Sequence, residues 1–158
     1  MSYSLNGLLE FAHEFEVDYR RAFQENTSIQ MESALQELCK RYSLKETGHR
    51  SYEVKLPFSD IIIISNVYIC KDTVYYRNLF GTAKSKQIER GMIEVQLPKP
   101  IPYGILSCHC EVLYDKNYNT IVNYNRGQKL HIVGKATVNI SFDSDYNFLI
   151  VDIAIREK

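Results

Sequence analysis

The sequence predicts an α+β protein in which an N-terminal helical hairpin packs on a small, strongly bent antiparallel β-barrel. Apolar residues recur at helical spacing in the first third of the chain, and from about residue 51 the spacing changes to two, as in strands. In addition, Gly134 interrupts a long alternating segment, where a small barrel needs a sharp bend. With 158 residues the chain is expected to form one domain over 1–158, with the hairpin at 4–45 and the barrel at 51–158.

Two helices are predicted in the first third, because an apolar stripe at the spacing of an amphipathic helix runs through it. The stripe consists of Leu5, Leu8, Leu9, Ala12, Phe15, Tyr19, Ala22 and Phe23, then of Ile29, Ala34, Leu35, Leu38, Cys39 and Tyr42. Thr27, with Gln30 three residues later, matches the capping box that begins a helix. We expect the stripe to cover the sheet that follows; the alternative is that it binds a partner chain.

The next part of the chain is predicted to form short strands. SYEVKLPF is expected to end at Pro57, because proline removes a hydrogen bond from the ladder. DIIIISNVYIC and TVYYRNLFG are expected to be two strands joined by a turn at Lys71-Asp72. GTAKSKQIERG, polar and bounded by glycines, is expected to be a loop, and strands over MIEVQLP and ILSCHCEVLY follow it.

A two-stranded ribbon closes the chain. Six alternate residues share one face of its first strand: Leu130, Ile132, Gly134, Ala136, Val138 and Ile140. After an acidic turn, an antiparallel return strand is expected over Phe148–Ile155. A glycine inside a strand destabilises the strand unless the strand must bend or admit a close neighbour there. At Gly134 we expect the strand to bend.

This ribbon resembles the last two strands of an OB fold (oligonucleotide/oligosaccharide-binding fold). YNRGQKLHIVGKATVNI and FLIVDIAI supply a turn at Gly127-Gln128, a strand with the glycine in its middle, and an alternating final strand. IEVQLPKPIPYGILSCHCEV is similar to the second and third strands of OB families that resemble tRNA-anticodon-binding domains. The two pieces cover roughly the second half of the chain. The resemblance implies a first barrel strand within Ile61–Phe80, and a connection over Asp115–Arg126 in place of the usual helix.

Composition narrows the classes of function. The chain has 19 basic and 19 acidic residues, so it lacks the overall positive charge of proteins that bind nucleic acid by bulk charge. A local basic patch is not excluded by this balance. The sequence has no apolar run of transmembrane length and does not begin like a secretory leader. A cytoplasmic protein with reduced cysteines and no membrane partner is therefore expected.

The tetrapeptide SCHC brings together two cysteines and a histidine, which suggests zinc. On a strand, however, Cys108 and Cys110 point to one face with Leu106 and Val112, whereas His109 points to the other. A structural zinc site also needs four ligands. Buried thiols are therefore predicted, and no metal or cofactor is expected.

The sequence contains no nucleophile elbow, phosphate-binding loop or dinucleotide fingerprint, and its histidines are scattered. We therefore expect a non-enzymatic protein. The alternative is an enzyme of unrecognised kind around His109 or His131.

The OB resemblance implies a binding surface across the second and third barrel strands and the loops beside them. The candidate site residues are Tyr75, Tyr76, Arg77, Lys84, Lys86, Arg90, Tyr103 and His109. Cations of this kind contact phosphates while aromatic rings stack on bases, so single-stranded nucleic acid is the first expected ligand. Glu94, Glu111 and the acidic turn DSDYN would repel phosphate. A protein-interaction or inhibitor module, acting through the helical hairpin or the barrel face, is therefore the alternative.

Overall fold

The computed structural model describes residues 1–114, 120–143, 145 and 147–158, and within them two helices precede a sheet of six strands. The elements are α1 (Leu5–Glu25), α2 (Ser28–Arg41), β1 (Lys45–Gly48), β2 (Ser51–Arg77), β3 (Ala83–Val95), β4 (Ser107–Tyr114), β5 (Lys129–Phe142) and β6 (Leu149–Glu157). A short 3-10 turn, Pro102–Gly104, lies between β3 and β4. The predicted α+β class is confirmed.

The sheet is mixed. β2 pairs with β3 and β3 with β4, while β6 lies between β4 and β5, and β5 pairs again with β2. The pair β4–β6 is parallel, so the prediction of a wholly antiparallel sheet is wrong there. Parallel neighbours need a long connection, and the chain between β4 and β6, which includes β5, supplies it. The strand pairing forms a circuit that returns to β2, but the strands do not lie evenly round one axis, so the predicted barrel is not confirmed.

β2 is much longer than predicted, and it serves two neighbours in turn. Its first half pairs with β5 from Ser51 to Ile63, and its second half pairs with β3 from Ile64 to Arg77. The predicted turn at Lys71-Asp72 is therefore wrong, because both residues pair with β3.

The predicted strand end at Pro57 is also wrong, because its backbone faces away from β5. The Pro57 carbonyl accepts the N–H of Tyr3 at 2.8 Å, and the Ser59 N–H donates to the Tyr3 carbonyl at 3.1 Å. The N–H and C=O of one strand residue point to the same side. The Pro57 nitrogen therefore faces the Tyr3 segment, and its missing hydrogen removes no bond to β5.

Both helices share one core with the sheet. The buried residues of the helices are Leu8, Leu9, Ala12, Phe15, Tyr19, Met31, Leu35, Leu38 and Cys39. The ring of Phe142, at the end of β5, lies 4.7 Å from that of Tyr19 and 6.2 Å from that of Phe15. At the start of α2, the Thr27 N–H donates to Gln30 Oε1 at 3.0 Å, as the predicted capping box requires. The prediction that the stripe covers the sheet is confirmed for these buried residues.

Gly134 lies where two neighbouring strands approach closely. It pairs with Phe58 of β2 and with Glu157 of β6. A Cβ atom built on it would lie 1.9 Å from the carbonyl oxygen of Arg156. Because backbone atoms cannot turn aside as a flexible side chain can, the position accepts only glycine. The close neighbour is thus present, whereas the bend of a closed barrel at Gly134 stays a prediction.

Stability at high pH is expected to depend on Tyr42, which joins the two helices. Its hydroxyl donates to Asp18 Oδ2 at 2.5 Å, and burial, followed by this hydrogen bond, raises the pKa of Tyr42 to about 12. A phenol whose pKa is raised by folding stabilises the fold fully below its ordinary pKa, near 10, and loses that contribution as pH rises towards 12. At pH 8, Tyr42→Phe is expected to be less stable than the wild type by about 1 kcal/mol.

Urea denaturation at a series of pH values measures this difference. The gap between wild type and Tyr42→Phe should shrink between pH 10 and pH 12. A gap that stays constant over this range would show that the Tyr42 hydroxyl does not titrate in the way its surroundings imply.

Candidate functional site

The end of β2 and the start of β3 form a two-stranded arm. We define the arm as residues 70–90, in which β2 and β3 pair from Cys70↔Arg90 to Arg77↔Ala83. β4 pairs with β3 only from Gly91 onward, so among the described residues the arm has no further strand beside it. GTAKSKQIERG is therefore mostly strand, and its prediction as a loop is wrong. Polar residues are compatible with a strand at this place, because both faces of the arm are largely exposed to solvent.

Three cations and a tyrosine share one face of the arm. Side chains alternate along a strand, and residues that pair directly lie on the same face. Lys84, Lys86 and Arg90 are therefore on one face, together with Tyr76, which pairs with Lys84. All four are exposed. Neither lysine forms an ion pair with any residue that the structure describes. We call this surface the basic face.

The other two predicted residues of the arm lie on its opposite face. Tyr75, which is 80% exposed, and Arg77 alternate with Tyr76 and so point away from the basic face. On the same opposite face, Lys71 Nζ lies 3.9 Å from Glu89 Oε1. Glu89, an acid of the arm, therefore pairs with Lys71 on the face opposite Lys84 and Lys86.

The arm concentrates positive charge in a protein whose other residues are net acidic. Residues 70–90 include five basic and two acidic residues, a net charge of +3, whereas the formal net charge of the chain is zero. Successive residues on one face of a strand are about 6–7 Å apart. Lys84 and Lys86 are therefore one such step apart and Arg90 is two steps further along, so a linear polyanion along the arm can contact the two lysines in turn.

Tyr103 and His109 lie outside the arm. Tyr103 belongs to the 3-10 turn, and its ring centroid is 5.8 Å from that of His13 in α1. His109 is exposed on β4, as predicted, and its Nε2 lies 3.3 Å from Glu111 Oε2. The eight predicted site residues therefore do not form one surface: six lie on the two faces of the arm, and these two lie elsewhere.

A cleft of about 560 Å³ lies beside β3 and β4, where the OB resemblance implies a ligand. Glu94, Lys99, Cys108 and His109 are among the residues that line it. Glu94 pairs directly with Glu111 across β3 and β4, so two carboxylates adjoin each other there. Glu111 lies beside the cleft and not in its lining, so phosphate placed across β3 and β4 meets two carboxylates and one lysine, Lys99, which disfavours its binding. We call this cleft the acidic cleft.

The thiols of SCHC point towards the core, as predicted, and both are free. Burial raises the pKa of Cys108 to about 12, and burial also raises the pKa of Cys110. Both thiols therefore stay protonated near neutral pH, which disfavours metal binding through thiolate. Leu106 is exposed because it precedes β4, so its predicted place in the core is wrong. Within the described ranges, no group of three His, Cys, Asp or Glu side chains could hold a metal ion.

One serine lies beside a histidine. Ser59 Oγ is 3.3 Å from His131 Nε2, the contact through which a histidine activates a nucleophile. The neighbouring acid, Asp60, instead accepts the N–H of Leu5 at 2.8 Å and of Ile61 at 2.7 Å. It is therefore engaged in holding the start of α1, and it does not orient His131 as a catalytic triad requires.

The tip of the arm, residues 78–82, carries two exposed apolar side chains that were not predicted as functional. Leu79 and Phe80 are the large residues of NLFG, just before a turn glycine. This pattern was visible in the sequence. With a turn predicted at Lys71-Asp72, however, both residues were placed at the end of a strand.

No family model matches the chain, and no curated protein or solved structure matches it either. None of the helices in the described ranges is long and apolar enough to cross a bilayer. Function is therefore inferred from the arrangement of the residues in this chain.

Proposed function

We propose that the chain is a non-enzymatic binding module of OB type, which holds single-stranded nucleic acid along the basic face of its arm. The observation that carries this proposal is the line of Lys84, Lys86 and Arg90 beside Tyr76 on one exposed face. Cations in a line can contact successive phosphates of one strand, while the tyrosine ring stacks on a base. Neutral overall charge is compatible with this role, because the positive charge is local.

The strand order supports the OB assignment. An OB fold is a partly open, five-stranded Greek-key barrel. Here five strands, β2, β3, β4, β6 and β5, pair in a circuit that returns to β2, without an even distribution round one axis. The connection between the first two strands is one of the ligand-binding elements of OB folds. In this chain that connection is the arm.

The charges favour the arm over the acidic cleft as the site for a polyanion. Phosphates placed across β3 and β4 would approach Glu94 and Glu111, whose carboxylates repel them. Along the basic face the two lysines have no described acidic partner to displace. The strand is therefore proposed to follow the arm lengthwise.

Salt dependence of binding tests this proposal. Fluorescence anisotropy with a labelled oligothymidylate should give an affinity that falls as salt is added, since bound cations of the strand are released. Each phosphate contact to a single strand contributes about 0.7 to the slope of log K against log salt. Replacing both Lys84 and Lys86 with alanine is therefore expected to flatten the slope by about 1.4.

The matched control replaces Lys129 and Lys135, which are also exposed and share one face of β5. This pair is expected to leave the slope unchanged. An equal flattening in both double variants would mean that binding is unspecific attraction to surface lysines. Absence of binding by the wild type at low salt would refute the proposal.

A protein partner is the second candidate, and the acidic cleft favours it. Glu94, in the lining of the cleft, and Glu111, which pairs with it, suit a basic segment of another protein. Binding of a protein partner through the apolar stripe of the helices loses support, because Leu8 and Phe15 of that stripe are buried in the core. If the wild type fails to bind the oligonucleotide at low salt, this candidate becomes the preferred one.

A further inference from the structure

The tip of the arm holds its two apolar side chains on an ordered turn. Asn78 Oδ1 accepts the N–H of Phe80 at 3.0 Å and that of Thr82 at 2.9 Å, and the Gly81 N–H donates to the Asn78 carbonyl at 3.0 Å. Gly81 has φ of 75°, in the region that favours glycine. Leu79 and Phe80 are thereby presented to solvent, 102% and 92% exposed. The turn thus fixes the backbone that carries two adjacent, fully exposed apolar side chains, an arrangement suited to a contact with a small apolar surface.

The charges behind the tip restrict what this contact can be. Arg77 and Lys84 lie within two residues of the turn, and Lys86 and Arg90 continue the positive charge along the arm. A ligand that contacts the tip together with Lys84 and Lys86 is anionic along its length and offers a flat apolar surface at one end. The exposed end of a nucleic-acid duplex, continued by one unpaired strand, has this combination of properties.

We propose that Leu79 and Phe80 stack on the terminal base pair at the point where a duplex opens into a single strand, so that the protein prefers such junctions to single strands alone. This inference rests on the proposed function, because the unpaired strand is held along the basic face. Phe and Leu are among the side chains that proteins insert against base steps as apolar wedges. Because the backbone of the turn is already hydrogen-bonded, Leu79 and Phe80 can bind without a further loss of backbone conformational entropy.

An anionic membrane fits the same groups less well. Lys86 lies four residues beyond Thr82, about 13 Å along the strand, whereas charges in physiological salt are screened over about 8 Å. A membrane that touched the tip would therefore leave Lys86 without a phosphate to contact. Leu and Phe together also offer less apolar surface than a myristoyl chain, which by itself gives only marginal membrane binding.

The test compares two labelled probes: a single-stranded oligonucleotide, and a duplex that carries the same strand as a single unpaired overhang, called here the junction probe. The wild type is expected to bind the junction probe about tenfold more tightly, which corresponds to about 1.4 kcal/mol and lies within the range for stacking of an aromatic side chain on a base. Replacing both Leu79 and Phe80 with alanine should abolish this preference. The matched control is Ile29→Ala on α2, a residue that is 93% exposed and outside the arm; it should keep the preference.

The outcomes separate this inference from the function on which it rests. If the wild type bound the single strand and the junction probe with equal affinity, the role of Leu79 and Phe80 as a wedge would be overturned and the proposed function would stand. Absence of binding to either probe would refute both. Vesicles of phosphatidylserine and phosphatidylcholine serve as a third probe, and binding to them that depends on Leu79 and Phe80 would assign the tip to a membrane and overturn the inference.

Discussion

Replacing Gly134 with alanine is expected to destabilise the protein by about 3 kcal/mol or more, the upper end for forcing extra atoms into a packed interior. The new Cβ would lie 1.9 Å from the carbonyl oxygen of Arg156 and 2.8 Å from its carbonyl carbon. Relief would require β5 and β6 to separate, yet Gly134 also pairs with Phe58 of β2 on its other side. Chemical denaturation followed by circular dichroism measures the loss.

Gly48→Ala is the matched control for this prediction. A Cβ on Gly48 would have only Ser51 Cβ nearby, at 4.0 Å, an ordinary van der Waals distance. Its expected effect is within about 0.5 kcal/mol, as for other surface changes. If Gly134→Ala and Gly48→Ala lost the same small amount of stability, the distance between β5 and β6 at Gly134 would have to be larger than described.

The elements predicted correctly from the sequence are those with one buried face. β5 is buried at every second residue from Ile132 to Phe142, and a slip of one residue would turn that whole set to solvent. The same holds for the apolar stripe of α1 and α2. Where one face is buried, the pattern of residues specifies both the element and its orientation.

The arm could not be predicted in this way, because neither of its faces is consistently buried. An alternating strand exposed on both sides has no hydrophobic period, so GTAKSKQIERG resembles a loop in composition. Pro57 misled the prediction for a related reason. The Pro57 nitrogen faces the segment around Tyr3, more than fifty residues earlier in the chain, and not the hydrogen bonds to β5. The neighbours of Pro57 in sequence do not reveal this orientation.

The shared face of the three candidate cations was not predicted, because their segment was expected to be a loop. Lys84, Lys86 and Arg90 are separated by even numbers of residues, so any strand through them places them on one face. Tyr75 and Tyr76 are adjacent, so a strand must send them to opposite faces. The position of Tyr103 beside His13 arises from packing of the turn against α1, which no local pattern encodes.

Phe15→Asp is expected to unfold most of the protein at 25 °C. Phe15 is 0% exposed, and its ring centroid lies 5.2 Å from that of Tyr42 and 6.2 Å from that of Phe142. Loss of a buried phenylalanine alone costs about 3–5 kcal/mol, and the substitution also buries a carboxylate without a partner. The sum approaches the whole stability of a typical domain, about 5–15 kcal/mol. Circular dichroism and thermal denaturation detect the unfolding.

Phe23→Asp, on the exposed side of the same helix, is the control and is expected to stay folded, with a change within about 1 kcal/mol. The comparison decides what the helices are for. If Phe15→Asp unfolds and Phe23→Asp does not, the apolar stripe is part of the core, and any ligand must bind elsewhere, as proposed for the arm. If Phe15→Asp instead stayed folded and lost a protein partner, α1 would be an interface, and the sheet would have to be stable without it.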